Sequence, residues 1–376
     1  MDSVKLKQTP LFLDHKNLGG KIVPFAGYEM PVQYTQGVIF EHLNVRRHAG
    51  LFDVSHMGVA QMKGPKVKEF LNFCLTRDLS KISASEAAYS LLCRESGGTV
   101  DDLIVYCVSN EHFYLVLNAS NKEKDVGYFR ELQKRETKFS DIRIDDAFDK
   151  FGLLALQGPS SPKILTNSGL KLNSWPKPFS FIPTATLFGI PVSIAFTGYT
   201  GETGCEIFCP SSQLSKLWNE LLKVGKSENL CPIGLAARDT LRTEMGYSLY
   251  GHELEEDINP VEAGLSWAVG FNKESFVGIE ALRQAKENPA RRLVCFRKKD
   301  SKQAPRPGMD ILVDGKACGK VGSGTLGPSL GYSIGMGLVD SKSFSKIQET
   351  KNLQIDIRGS LVNFEVCKRP FFTKGI

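Results

Sequence analysis

The sequence predicts an α+β protein with a separate all-β domain at its C-terminal end, on three observations. Between Leu11 and Ala285, short β-rich runs and amphipathic helical stretches alternate unevenly, unlike the regular strand–helix–strand beat of a parallel α/β fold. At KENPARR, Lys286–Arg292, a helical stretch meets a proline and a basic cluster, which divides 1–285 from 286–376. Beyond it come the short runs RLVCF, DILVD, LQIDIR and LVNFEV between Gly-, Pro- and Ser-rich turns, the pattern of a small antiparallel barrel.

The elements follow in order. GGTVDDLIVY, Gly97–Tyr106, reads as a turn entering a strand, with two adjacent aspartates where the apolar run begins. Alternation puts Asp102 on one face with Val100, Ile104 and Tyr106, and Asp101 on the other with Leu103, Val105 and Cys107. Both faces are otherwise apolar, so an ionised carboxylate here requires hydrogen bonds or opposite charge. HFYLVLNAS, His112–Ser120, is the expected hairpin partner across the polar turn Ser109–Asn110–Glu111. NKEKDVGYFRELQKRET then reads as an amphipathic helix with Val126, Phe129 and Leu132 on its apolar face. After a proline-punctuated stretch around Trp175 come strands at FGIPVSIAF and CEIFC, a helix over Gln213–Val224, another from Gly234 toward Gly246, and a third over Gly278–Ala285.

The composition bounds the function. With 376 residues, 41% hydrophobic and 23% charged, the chain has material for more than one core. Its 47 Lys+Arg against 41 Asp+Glu favour anionic ligands mildly and give no nucleic-acid signature. No apolar run approaches the ~20 residues that span a bilayer, and MDSVKLKQTPLFLDH carries neither a signal-peptide core nor a transit segment. Nine cysteines without a CxxC pair read as reduced, buried thiols of a cytosol-like compartment.

Among candidate sites, the six histidines include no i, i+4 pair and no cysteine pair completes a ligand set, so no metal site is expected. No GxGxxG or GxxxxGK[ST] is present. TGYTGETGCEIF, Thr197–Phe208, is a tight glycine- and threonine-rich loop running into a strand, with Cys205, Ile207 and Cys209 on one face and Glu206 and Phe208 on the other. Glu206 is then an acid on a mostly apolar strand, either a carboxylate satisfied by backbone N–H groups or a ligand contact. In GLAARDTLRTEMGYSLYG, Arg238 and Arg242 stand i, i+4; Arg238 pairs with Asp239 or another acid, or offers its fork to a buried carboxylate or anionic ligand.

TPLFLDH, PFAGYEMPVQY, AGLFDVSHMG, AAYSLLCRESGGTVDDLIVY, LVLNASNKEKD, LALQGP, TGYTGETGCEIF, GLAARDTLRTEMGYSLYGHE, PVEAGLSWAV and SGTLGPSLGYSIGMGLV follow in an order that closely resembles the folate-dependent aminomethyltransferase family, the T-proteins of the glycine cleavage system. The resemblance covers nearly the whole chain. It implies a cloverleaf of three domains, two of them α+β and interleaved in sequence, the third a C-terminal antiparallel β-barrel. It implies tetrahydrofolate as co-substrate and the lipoylated H-protein as partner, with no role for nucleic acid or membrane. The products implied are 5,10-methylenetetrahydrofolate, ammonia and dihydrolipoyl H-protein, made in a bacterial cytoplasm or, after removal of a presequence, a mitochondrial matrix. Matched by motif, Asp102 is the catalytic aspartate, Glu206 and Arg238 are the folate-contacting acid and arginine, and Tyr89, Asn118 and Tyr199 lie near the pterin. Asp101 is left to hold the turn and strand. Two positions depart from the family pattern: Tyr28 stands where many relatives have tryptophan, and Glu86 where a glycine commonly precedes AxYS. Rival readings are a folate enzyme that demethylates a sulfonium or methylated amine, and a folate-binding maturation protein without turnover.

Overall fold

The computed structural model describes residues 5–374. The described chain forms two compact units: one takes residues 5–71, Leu79–Tyr89 and Leu103–Arg238, the other Asn72–Asp78, Ser90–Asp102 and residues 239–374.

The first unit is built on a six-stranded sheet in the order Phe181–Leu187, Ile190–Ala195, Gly204–Pro210, Phe151–Gln157, Ala49–Asp53, Leu230–Ile233. All neighbours are antiparallel except the last pair. Its core shows why the helix over Leu214–Gly225 forms where periodicity places it: Leu214, Leu217, Trp218 and Leu221 make one stripe, packed with Leu154, Leu156, Ile194 and Ile207. Cys205, Ile207 and Cys209 face this core, so Glu206 and Phe208 look to the other side of the sheet.

A five-stranded sheet runs Glu86–Cys93, Thr99–Ser109, His112–Leu117, Gly58–Lys63, Arg143–Asp146. The division between units falls inside its first two strands. The predicted hairpin forms, Thr99–Ser109 antiparallel to His112–Leu117. The helix Lys122–Arg135 buries Val126, Phe129 and Leu132, as its spacing requires. Alternation along Thr99–Ser109 is only partly that of a strand covered on both faces: Thr99, Asp101, Leu103, Val105 and Cys107 are buried, while Asp102 and Ile104 opposite them are half-buried.

In the second unit the turn before that strand closes through Gly97 N–H to Arg94 O and Arg94 N–H to Gly98 O, both 2.9 Å. Thr99 then docks on Glu255–Ile258, its N–H donating to Glu255 O at 3.1 Å and Ile258 O at 3.0 Å. A Cβ on Gly98 would stand 1.8 Å from the Glu256 carbonyl oxygen, so only glycine permits this approach.

The C-terminal strands form the expected barrel, closed and antiparallel, in the order Arg291–Lys298, Ser333–Asp340, Lys316–Leu326, Asp310–Val313, Asn352–Ile357, Ser360–Cys367. Val294, Phe296, Ile311, Val321, Ile355 and Phe364 fill it. It is not all-β. A helix over Ser341–Thr350 lowers Ile347 into the core and is N-capped by Asp340, whose Oδ1 accepts the Ser343 N–H at 2.8 Å. Phe344, three residues before Ile347, packs partly buried on the same core, so the apolar stripe of this helix is real but only two residues long. Among the cysteines, Cys231, Cys318 and Cys367 are half-buried rather than buried, and all nine are free thiols.

Candidate active site

Glu206 is a buried carboxylate on the first unit's sheet. Residue 206 of Gly204–Pro210 faces away from the aliphatic core into an aromatic layer of Tyr106, Phe181, Phe208 and Tyr114. It is 7% exposed. The backbone N–H partners offered by one reading of the sequence are not what holds it. Two hydroxyls do: Tyr106 donates to Oε2 at 3.0 Å and Thr197 to the same oxygen at 2.5 Å. Burial, and then the nearby carboxylate, push the Tyr106 phenol well above its ordinary pKa, so it stays protonated and donates.

The loop carrying Thr197 is held from beneath. Gln157 Nε2 donates to Thr197 O at 3.2 Å and to Cys205 O at 3.3 Å, and its Oε1 accepts from Thr200 Oγ1 at 2.8 Å. Arg46 Nη1 donates to Thr200 O at 2.6 Å and to Glu202 Oε1 at 2.9 Å, a pair whose side chains are 5% and 2% exposed. These contacts leave Tyr199 half-buried, with the Arg238 guanidinium 4.9 Å from its ring centroid. Asp239 instead serves Arg242, at 2.8 Å from Nε and 2.7 Å from Nη2. Asp239 is thus engaged by Arg242, while the Arg238 guanidinium lies over the Tyr199 ring.

Tyr89 is half-buried on Glu86–Cys93. Asn118 follows the strand His112–Leu117, and its carbonyl accepts the N–H groups of Asn121 at 2.9 Å and Lys122 at 3.0 Å, which opens the next helix. Asp101 and Asp102 belong to the second unit, Asp101 wholly buried and Asp102 half-buried on the face that Ile104 and Tyr106 share by alternation.

Several buried polar groups went unassigned at the sequence level. Asp53 Oδ2 accepts from Thr9 Oγ1 at 2.7 Å and from His15 Nε2 at 2.9 Å, its Oδ1 accepts the Ser55 N–H at 2.9 Å, and His15 Nδ1 lies 2.9 Å from Tyr34 Oη. Burial by itself raises the Asp53 pKa, but the bonds and charge of His15, with Ser55 and Thr9, bring it below the ordinary carboxylate value. Lys122 is 2% exposed; its Nζ donates to Tyr28 Oη at 2.7 Å and lies 5.0 Å from the Phe148 ring centroid. Tyr28 thus supplies an acceptor that tryptophan lacks. His56, 3% exposed, has no hydrogen-bond partner on Nδ1 among the described residues. His15, Asp53 and His56 all sit in stretches that carried the resemblance, but local spacing gives no sign that Asp53 meets a histidine 38 positions away. Among the described residues no group of three or more His, Cys, Asp or Glu is placed to hold a metal, and no helix is long and apolar enough to cross a membrane.

The chain matches the GCVT N-terminal domain over residues 11–273 and the Glycine cleavage T-protein C-terminal barrel domain over residues 291–373. It belongs to the glycine cleavage T-protein family. It is 42% identical to an aminomethyltransferase of Bacillus subtilis, over 98% of this chain and 100% of that protein. It is 44% identical to an aminomethyltransferase of Bdellovibrio bacteriovorus over the same shares. The crystal structure of glycine cleavage system aminomethyltransferase T from Bartonella henselae superposes with a TM-score of 0.88 at 33% identity, over 98% of each chain. Membership in the T-protein family agrees with the resemblance carried by DDLIV, YTGE and GLAARD, and the T-protein fold with the α+β reading and its C-terminal barrel.

Proposed function

We propose that this chain moves the methylene of an aminomethyl group, presented on the lipoyl arm of the H-protein, onto tetrahydrofolate. Glu206 carries the proposal: a buried carboxylate in an aromatic wall, bonded by hydroxyls at one oxygen, matches a pterin that offers N–H donors and a flat ring. Arg238, steadied on Tyr199, supplies the cationic fork for the folate's polar edge. Tyr89 and Asn118 line the pterin, and Asp102 acts on the reacting atoms. Two C–N bonds form, to N5 and N10, while one C–N and one C–S bond break. The two N–H protons of the folate end on ammonia and on the lipoyl thiol, so no oxidant is needed. Positive charge develops on the carbon as ammonia departs, and the Asp102 carboxylate stabilises it. The excess of 47 basic over 41 acidic residues suits an acidic carrier and an anionic folate.

The test is ammonia release by the purified chain from aminomethylated H-protein, with and without tetrahydrofolate. Folate-dependent ammonia together with 5,10-methylenetetrahydrofolate is the expected result. Turnover only with a methylated sulfonium or amine donor, or folate binding without turnover, sinks the proposal.

A further inference from the structure

Within the folate reading just given, on which it rests, we infer that Tyr106 and Thr197 are positioning residues: they hold Glu206 by Oε2 and present Oε1 to the pterin. A carboxylate has about four acceptor sites, two on each oxygen. Tyr106 and Thr197 each have one O–H, and both are aimed at Oε2, at 3.0 and 2.5 Å. No described residue bonds Oε1. One donor stands within the strand Thr99–Ser109 and the other in the loop after Ile190–Ala195, so together they fix the carboxylate's rotation as well as its place.

Neither hydroxyl is free to drift. The Tyr106 ring is wedged between Phe181 at 5.3 Å and Phe208 at 5.2 Å, centroid to centroid, and is 0% exposed. Thr197 is 7% exposed and its carbonyl is tied to Gln157. An acceptor fixed before binding loses no rotamer freedom when the ligand arrives, which favours affinity. The geometry also sets the mode of contact. With both sites on Oε2 taken, the pterin donors converge on Oε1, and a fork across both oxygens requires a hydroxyl to give way.

The experiment compares Tyr106→Phe, Thr197→Val and Thr197→Ser with Glu206→Ala, by calorimetric tetrahydrofolate affinity, steady-state kinetics and melting. Tyr106→Phe and Thr197→Val are each expected to weaken folate about tenfold, the scale of one hydrogen bond to a charged group. KM for folate rises to match, kcat at saturation stays within about twofold, and Thr197→Ser restores affinity. In a Glu206→Ala background Tyr106→Phe costs nothing further. Wild-type affinity in both hydroxyl variants, with affinity lost in Glu206→Ala, overturns the positioning role and leaves the folate reading standing. An equal loss from Tyr106→Phe with and without Glu206 also overturns it. Unchanged affinity in Glu206→Ala overturns the folate reading itself. If Tyr106→Phe does not fold, the Thr197 pair decides alone.

Discussion

Asp101 and Asp102 are adjacent in sequence and differ in surroundings, one wholly buried and one half-buried on the opposite face of a strand. Asp102→Asn keeps size and strand geometry and removes the charge. Turnover is expected to fall by about two orders of magnitude or more, with folate affinity and melting temperature little changed. Asp101→Asn has the reverse emphasis, a loss of about 1 to 3 kcal/mol in stability from weakening a buried carboxylate, with kcat largely kept. Denaturation and kinetics on both variants check this, and a dead Asp101→Asn beside an active Asp102→Asn reverses the assignment. Arg238→Lys tests the stacked guanidinium: an ammonium is no planar fork, so folate affinity is expected to drop several-fold, and wild-type kinetics in that variant refute the role. Residue types and faces were legible here, because alternation is a property of the strand alone. The hydroxyls that hold Glu206 were not, because Tyr106 lies 100 positions away.

At the level of elements, two glycines respond in opposite directions. Gly127 lies on the exposed side of the helix Lys122–Arg135, and a Cβ there meets nothing within 4 Å. Gly127→Ala is expected to stabilise the protein by up to about 1 kcal/mol through helix propensity alone. Gly204 opens the strand that carries Glu206 and pairs with Gln157, and a Cβ there stands 2.5 Å from Gln157 Nε2 and 2.6 Å from the Leu156 carbonyl oxygen. Gly204→Ala is expected to cost about 1 to 3 kcal/mol and to weaken folate binding, since strand and loop must both move. Urea midpoints for the two variants, moving apart from wild type, are the check. The helices Lys122–Arg135 and Leu214–Gly225 were readable because each buries a long apolar stripe; Ser341–Thr350 escaped because its stripe is only Phe344 and Ile347, set between strand-like runs.

For the whole molecule the informative variable is pH. Burial, with the charges of Arg238 and Lys122 adding to it and Asp53 opposing, takes His56 down to about 4 from an ordinary 6.5. Between those values the unfolded chain binds a proton that the folded chain refuses, so stability rises with pH across that window and falls as pH drops from 6.5 toward 4. The contribution lost by pH 4.5 is about 2 to 3 kcal/mol. Other groups titrate there too, so the measurement is a difference: the fall in urea midpoint between pH 7.5 and 4.5 is expected to be smaller in His56→Asn than in wild type. Equal falls remove His56 as the cause. The sequence by itself determined the periodic elements, the antiparallel barrel and the motifs that mark the T-protein family, because periodicity, turn chemistry and long motifs are local properties of the chain. Only the tertiary structure decided that Glu206 is held by two hydroxyls, that Arg238 lies over Tyr199 and Arg242 takes Asp239, and that Asp53 is bonded to His15. Those contacts join residues from separate strands, loops and helices, and a buried polar group takes whichever partner packing brings within hydrogen-bond reach.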